Sequence, residues 1–464
     1  MLASGEIMLQ DVGSRAVADD LAQMRQLAEA PVVSEAELAA NLAKIYGLLF
    51  HADLSHYDVA AHRSSAAAII QSLFELRLSL RSRIGDWERR GIMSRSVQKA
   101  LRDVFRVTRY ACDMIGELNI GHDRLPPGAH PRRGFTGADI NVLVNPVHHT
   151  GADFPFHSGD ILLVRGQAHN SAAIARIGDI DSQFSHVGIV HVDATGAPLI
   201  VEALIESGSV VRPLQDFLDH GLGRAVLFRH RDTALAGKAA AAIHDHVAKR
   251  RLRRIWYDFT MTLEGYKQLY CSKLVRYAFL MASRGDVSLP AYTTMLDMKN
   301  RDFLDRVGVK TVQTFAPGDF EIDPRFDVIA EWQDYRVTSS LRNQDMIATK
   351  LFEFMEDHNY RFEEDTSIRL IGWFGRISSY LSDSAKDLMS QVVPKVPPNM
   401  KRKTIAVIAM LHKTAQPLLE QLTEREQAEI ARSGRGPHPR ETLAFLDEVR
   451  RTSGGRVGYL VAGK

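Results

Sequence analysis

The sequence predicts an α+β fold in which an antiparallel sheet lies between two helical regions of the chain. Apolar residues recur at helical spacing from residue 34 to about residue 118, and again from residue 339 to the end. Between these regions, short apolar or β-branched runs alternate with turn residues and have no helices between them, which favours antiparallel pairing. A Gly- and Pro-rich connection over residues 121–155 precedes these runs. We therefore divide the chain into a helical region (1–130), an α+β domain (131–335) and a second helical region (336–464).

The first helical region begins with a capping-box pattern. Ser34 followed by Glu37 is typical of a helix start, because each side chain can accept a backbone N–H at the other position. Further along, Ile69, Leu73 and Leu76 recur at steps of four and three, which places them on one helix face. We expect a helical bundle or hairpin that buries this face.

The middle region contains strands followed by helices, and the last region contains helices only. Turn residues such as those at 193–196 separate the apolar runs, as in hairpins. The predicted strands cover residues 161–164, 187–192, 199–203, 210–211 and 225–228, and the two helices that follow cover 234–253 and 271–284. The helices predicted after residue 339 cover 351–359, 367–392, 403–433 and 440–451.

The composition excludes several classes of protein. The 464 residues include 58 basic and 56 acidic side chains, and a net charge of +2 gives no support for a nucleic-acid partner. Cys112 and Cys271 are too few for a disulfide framework or a multi-cysteine zinc site. His148, His149 and His157 have no carboxylate or cysteine at ligand spacing, so we predict neither a metal nor a cofactor.

The chain has no recognisable export or membrane-spanning segment. Its N-terminus has no basic region followed by an apolar core, and the apolar run at 404–412 is far shorter than the ~20 residues that span a bilayer. We expect a cytoplasmic protein, with export by an unmarked route left open. In the segment 370–389, Trp373 and Phe374 lie among equal numbers of acidic and basic residues. We expect this face to pack in the core, with peripheral membrane contact as the alternative.

Cys271 is the candidate nucleophile. Apolar residues at Leu274, Val275, Ala278 and Phe279 form one stripe of a helix whose first turn contains this cysteine. The unpaired N–H groups and the dipole at a helix start favour a thiolate and can also stabilise an oxyanion. A buried structural cysteine is the alternative.

His186 and Glu202 are the candidate base and its orienting acid. His186 begins the strand that ends at residue 192, and a short turn then leads to a second strand carrying Glu202 in an otherwise apolar run. If the hairpin register places both side chains on one face, the carboxylate can orient the imidazole while the imidazole serves Cys271. A core histidine bonded to backbone and a glutamate at the sheet edge are the alternatives.

The order of these motifs resembles a known family. GDI, SHVGIV, IVEA, YD and YCSKLV follow one another between residues 159 and 275, as in the circularly permuted papain-like cysteine hydrolases of the NlpC-type superfamily, in the YiiX/YebB-like branch. The resemblance covers roughly residues 156–335. It implies a permuted papain-like domain in which Cys271 is the nucleophile, His186 the general base and Glu202 the third member. It also implies that Tyr257 lines the site near the oxyanion, and we add Asp258 and Ser272 as substrate- or oxyanion-binding residues.

One position departs from this branch. An acidic residue usually stands two positions after the cysteine, as in YCSEL, whereas this chain has Lys273. We expect the Lys273 side chain to point away from the apolar stripe, and either to strengthen the positive field at Cys271 or to be solvated.

The sequence therefore predicts a thiol hydrolase or acyltransferase that cleaves an amide, ester or thioester through an acyl-enzyme. A lipid or acyl substrate fits the apolar helical regions, which could form a lid or a tunnel wall. Two alternatives stay open: a peptidoglycan-type amidase or endopeptidase, and a non-catalytic protein-binding module on a papain-like scaffold. An all-helical adaptor with an inserted sheet is a further alternative. The oligomeric state is not predicted.

Overall fold

The computed structural model describes residues 12–52, 59–119, 141–148, 155–219, 221–250, 253–378 and 396–463. Within these ranges the chain is mixed α and β with an antiparallel sheet, and the predicted α+β class with helical flanks is confirmed. The predicted domain boundary at residue 130 lies outside the described residues.

The N-terminal region is helical, as predicted. Its helices are α1 (Val12–Glu29), α2 (Glu35–Phe50), α3 (Val59–Arg89) and α4 (Arg95–Asn119). Half of the predicted capping box is present: the Glu37 N–H donates to Ser34 Oγ at 3.3 Å, but Glu37 Oε2 accepts from the Val33 N–H, at 2.8 Å, and not from the N–H of Ser34. Ile69, Leu73 and Leu76 are buried, so the predicted apolar face is the inner one.

The central feature is a seven-stranded antiparallel sheet. Its spatial order is β1-β9-β6-β2-β3-β4-β5. The strands are β1 (Val142–Val144), β2 (Ile161–Gly166), β3 (His186–Val192), β4 (Pro198–Leu204), β5 (Gly208–Pro213), β6 (Leu222–His230) and β9 (Phe326–Gln333). All five predicted strands are present.

The sequence analysis missed two strands of this sheet. β1 is only three residues long and lies in the segment that we assigned to a connection. β9 carries Glu331, whose carboxylate is buried because Arg77 and Arg109 bind it from the N-terminal helices. A buried ion pair of this kind interrupts the apolar pattern by which a strand is recognised.

Helices cover both faces of the sheet. α7 (Thr233–Ala248) and α8 (Cys271–Ser283) pack with α3 and α4 on one face, and α6 (Leu214–Leu218) packs on the other. The expectation that no helix separates the strands was wrong, since α5 (His169–Arg176) lies between β2 and β3 and α6 precedes β6. Both helices are too short to show a helical period in the sequence.

The remaining elements lie on either side of β9 in the chain. Between α8 and β9 are α9 (Asp302–Val307), a 3₁₀ helix (Pro317–Ile322) and the short strands β7 (Thr294–Met295) and β8 (Gln313–Thr314). The C-terminal region after β9 comprises α10 (Thr338–His358), α11 (Thr366–Ser378), α12 (Arg402–Ser433) and α13 (Pro439–Thr452), with short strands β10 (Tyr360–Phe362), β11 (Arg456–Val457) and β12 (Leu460–Ala462). The four predicted C-terminal helices are therefore present, although α10 starts earlier than predicted. The part of the predicted helix 367–392 beyond residue 378 lies outside the described residues.

The N-terminal helices and the sheet share one hydrophobic core. Buried ion pairs also join them: Arg77 Nη2 lies 2.7 Å from Glu331 Oε2, and Arg109 Nη2 lies 3.0 Å from Glu331 Oε1. Breaking a buried pair leaves an uncompensated charge, so these contacts fix the helices against the sheet.

Two observations bear on membranes. In the described parts of the chain, no helix is long and apolar enough to cross a bilayer. On α11, Trp373 and Phe374 are each 60% exposed, so the expectation that they pack in the core was wrong. The balanced charge of this segment did not reveal which face of the helix turns outward.

Candidate active site

Cys271 is the first residue of α8, as predicted. The N-cap is Tyr270, and its side chain makes no capping hydrogen bond to the first turn. Leu274, Val275, Ala278 and Phe279 are fully buried, so the predicted stripe anchors the helix on the sheet. Cys271 itself is 4% exposed. The sulfur is therefore held beside backbone N–H groups that no side-chain cap occupies.

The hairpin of β3 and β4 brings His186 and Glu202 together. Ile189 lies opposite Val201 in the antiparallel register, which places His186 and Glu202 on one face. His186 Nε2 lies 2.6 Å from Glu202 Oε2, and the Glu202 side chain is fully buried. The predicted pairing of these two residues is confirmed.

Arg212 is a member of this cluster that the sequence analysis missed. Its Nε donates to Glu202 Oε1, so the carboxylate is held between an imidazole and a guanidinium. The Arg212 guanidinium also lies over the ring of Phe217, at 5.8 Å from the centroid, and the His186 ring lies 5.9 Å from the same ring. A cation in the β-branched run at 210–213 was the available signal, but only the register shows that it faces Glu202.

The environment of His186 favours the imidazolium. Burial works to lower the pKa of His186, but the hydrogen bonds to Cys271 and Glu202 outweigh it and raise this pKa to about 10. Burial also works to raise the pKa of Glu202, yet His186 and Arg212 together hold it below its usual value. At neutral pH the site therefore contains a carboxylate and an imidazolium that are hydrogen-bonded to each other.

Tyr257 lies beside the nucleophile and is almost fully buried. Burial, together with the negative charge of the Cys271 sulfur, raises the pKa of Tyr257 well above its usual value. Its hydroxyl therefore stays protonated and able to donate a hydrogen bond. The Tyr257 carbonyl accepts a hydrogen bond from Asn399 Nδ2 at 2.8 Å, so the C-terminal region fixes the backbone at this point.

Lys273 is not solvated. Its side chain is fully buried, and its Nζ lies 2.7 Å from Asp258 Oδ2 and also donates to the carbonyls of Glu264 and Gly265. Of the two alternatives given for Lys273, the solvated side chain was wrong, because these three acceptors replace water around the ammonium group. The pair ties the first turn of α8 to the segment that follows Tyr257.

Asp258 and Ser272 occupy different positions around the nucleophile. The Asp258 carboxylate is bound by Lys273 and by the Thr260 N–H at 2.9 Å, which fits a positioning role. Ser272 is fully buried, and its Oγ lies 3.9 Å from Cys271 Sγ. A part of either residue in binding substrate or oxyanion stays a prediction.

A small cavity of about 40 Å³ reaches Cys271. Tyr257, Tyr270, Phe184 and Met261 supply part of its wall, and Arg102 from α4 supplies another part. A separate apolar cavity of about 400 Å³ lies between the N-terminal helices and α12, and shares no lining residue with the first. The space beside the sulfur holds only a small group.

The remaining candidate residues lie away from this cluster. Cys112 is fully buried, and burial raises the pKa of its thiol, as expected of a packed cysteine. His149 lies outside the described residues. Among the residues that the structure describes, no group of three or more His, Cys, Asp or Glu side chains could hold a metal ion.

A helix-start cysteine, an imidazole on a neighbouring strand and a buried acid behind it define the papain-like class of cysteine hydrolase. Here the histidine strand precedes the cysteine helix in the chain, which is the permuted order. Residues 155–330 match the model of a family described as permuted papain-like amidase enzyme, YaeF/YiiX, C92 family. No curated protein and no solved structure matches the chain.

The match confirms the resemblance found in the sequence. The match over residues 155–330 supports a circularly permuted papain-like cysteine hydrolase domain, and an amidase family implies a substrate that carries an amide. The matched segment covers less than half of the chain and includes Cys271, His186 and Glu202. Arg102 and Asn399, which contribute to the site from the two flanks, lie outside it.

Proposed function

We propose that this protein hydrolyses an amide through a Cys271–His186–Glu202 triad and an acyl-enzyme. The observation that carries the proposal is the imidazole of His186, which is hydrogen-bonded to the buried carboxylate of Glu202 and whose pKa is raised by its interaction with Cys271. Because Glu202 binds Nε2, Nδ1 is the ring nitrogen left to serve the sulfur. This is the arrangement of nucleophile, base and orienting acid that thiol hydrolases require.

The reaction takes two steps. In the first, the Cys271 thiolate attacks the amide carbonyl carbon, the His186 imidazolium gives its proton to the leaving nitrogen, and the C–N bond breaks. In the second, neutral His186 takes a proton from water, which attacks the thioester and releases the carboxylic acid and the thiolate. Glu202 holds the imidazole and stabilises its charged form throughout.

The developing oxyanion needs donors beside the sulfur. The backbone N–H of Cys271 lies at an uncapped helix start, and the Tyr257 hydroxyl remains a donor because burial keeps it protonated. We assign these two groups to the oxyanion hole.

Thiol alkylation tests the proposal without knowledge of the substrate. We expect iodoacetamide at pH 7 to react with Cys271 much faster than it reacts with the thiol of free glutathione. The buried Cys112 is the internal reference. His186→Ala slows this labelling, whereas the matched control His191→Ala, on the same strand but the opposite face, does not. Cys271→Ala abolishes hydrolysis of coumarin amides and keeps thermal unfolding unchanged.

The opposite result would support a non-catalytic scaffold instead. If Cys271 reacts no faster than glutathione, and equally fast in both histidine variants, the triad assignment fails. Labelling that depends on His186, together with activity on peptidoglycan peptides alone, would favour the cell-wall amidase alternative.

As a second candidate we propose that the substrate is lipid-like and that α11 contacts a membrane surface. Leu370, Trp373 and Phe374 are exposed together on α11, at the spacing of one helix face. Ile371, on the same helix, packs in a cluster with Phe259, close to Tyr257. An amide with a lipid chain could therefore present its polar end to Cys271 while its chain stays near this face.

Vesicle sedimentation tests the membrane contact. We expect binding to phosphatidylcholine–phosphatidylglycerol vesicles, and at least a tenfold loss in the Trp373→Ala/Phe374→Ala variant, since each aromatic side chain buries a large apolar area. Val312→Ala, which removes an exposed apolar side chain elsewhere, is the control. Equal sedimentation of all three proteins would remove this candidate.

A further inference from the structure

Arg102 is a buried cation with unused hydrogen-bond donors. It lies on α4, outside the segment that matches the family, and is 2% exposed. Its Nη1 donates to Asp319 Oδ1 at 3.0 Å, but its Nε and Nη2 have no acceptor among the described residues. Buried polar groups nearly always have a partner, so these donors call for an acceptor that the described residues do not supply.

Asp319 cannot take the free donors. Its Oδ1 also accepts from Thr294 Oγ1 at 2.7 Å, and its Oδ2 accepts from the Ala316 N–H at 2.8 Å. Burial raises the pKa of Asp319 to about 6 although Arg102 opposes this, so the carboxylate is mostly ionised at neutral pH. It therefore already balances the charge of Arg102.

Arg102 lines the cavity beside the nucleophile. Arg102 and Cys271 line the same cavity of about 40 Å³, whose other walls include the apolar side chains of Phe184, Met261 and Phe315. A water needs roughly 10–15 Å³ of such space, so the cavity has room for a few atoms and not for a long chain.

We propose that this cavity selects substrates that place a small uncharged group with a carbonyl oxygen, such as a carboxamide, next to the scissile amide. The donors of Arg102 bind that oxygen, and the apolar walls exclude larger groups. An uncharged group is favoured because the Asp319 carboxylate already balances the charge of Arg102. Arg102 is thus a specificity residue, and its role rests on the proposed nucleophile.

Alkylation with matched reagents tests the proposal. Iodoacetamide, iodoacetate and 1-iodopropane are compared at Cys271, each rate being divided by the rate with glutathione. We expect the wild-type protein to favour the acetamide over the propyl group by about tenfold, the scale of one or two hydrogen bonds from a charged donor. We also expect it to favour the acetamide over the acetate.

Two variants and one control isolate Arg102. Arg102→Lys keeps the charge opposite Asp319 but loses the forked donors. Gly318→Ala keeps Arg102, but its added Cβ would collide with Arg102 Nη2 and with Ser182 Oγ. The control Arg109→Lys changes another buried, ion-paired arginine of α4 that does not line the cavity.

We expect the preference for acetamide over propyl to fall to near unity in both variants and to persist in the control. An unchanged preference in Arg102→Lys and Gly318→Ala overturns the proposal while leaving the triad intact, and so does a wild-type preference for iodoacetate. If no reagent labels Cys271 faster than glutathione, the proposed function fails first, and this inference falls with it.

Discussion

The buried pair of Lys273 and Asp258 gives the sharpest stability prediction. Lys273→Met keeps much of the side-chain volume but leaves the Asp258 carboxylate inside the protein without its cation. Removing one partner of a buried pair typically costs about 3–5 kcal/mol. The pair qualifies because the two side chains are 0% and 5% exposed and their charged atoms lie 2.7 Å apart.

A double variant and a surface control define the assay. Lys273→Met/Asp258→Asn removes both charges, keeps an acceptor for Thr260, and is expected to recover roughly 2 kcal/mol or more of that loss. The exposed pair of Lys249 and Asp245 is the control, since Lys249→Met is expected to cost less than about 1 kcal/mol. Urea unfolding followed by tryptophan fluorescence and by Cys271 alkylation measures all four proteins.

Coincident transitions from the two probes are needed before free energies of unfolding are compared. In thermal scans, the same loss corresponds to a fall in Tm of about 6–20 °C for a cooperative unit of 150–250 residues. The reasoning is refuted if Lys273→Met costs no more than Lys249→Met, or if the double variant is no more stable than Lys273→Met.

Three other outcomes follow from the site and its supports. Amide turnover falls as pH rises through about 10, because His186 must be charged to protonate the leaving amine. Glu202→Gln removes the carboxylate that stabilises the charged imidazole, so the alkaline limb of the kcat/KM profile moves to lower pH. An alkaline limb at the same pH in this variant would contradict the triad. Gly208→Ala destabilises the protein in urea by more than 1 kcal/mol, since this glycine has φ +70° and its Cβ would meet a backbone carbonyl; wild-type stability would contradict this. Arg109→Met lowers the free energy of unfolding by about 3–5 kcal/mol, because it leaves the buried Glu331 carboxylate partly uncompensated. A shift of the urea midpoint no larger than the shift caused by the same substitution at an exposed arginine would contradict this.

The triad could be predicted because its geometry is local. The period of two along β3 and β4 fixes which side chains share a face, and a short turn fixes the register, so His186 and Glu202 follow from a few residues of sequence. The stripe after Cys271 likewise identifies the start of α8. Each of these inferences needed only the neighbours of the residue in the chain.

The rest of the site could not be predicted because it depends on distant pairing. Arg102 and Asn399 reach the cavity and Tyr257 from helical flanks whose docking has no signature in a single sequence. Lys273 seemed a candidate for solvent because its partner Asp258 lies in another segment. Trp373 was assigned to the core because composition alone does not distinguish the inner from the outer face of α11.

Because Arg102 comes from α4, outside the catalytic domain, substrate preference and catalytic chemistry can change independently in evolution. Two chains could share every residue of the catalytic domain, with identical chemistry at the sulfur, and still prefer different substrates because their upstream helices differ. Alignment restricted to the catalytic domain would then group enzymes by reaction and miss the determinant of selectivity. Engineering could likewise retune such a protein by exchanging a helix, without mutating any residue that takes part in bond cleavage.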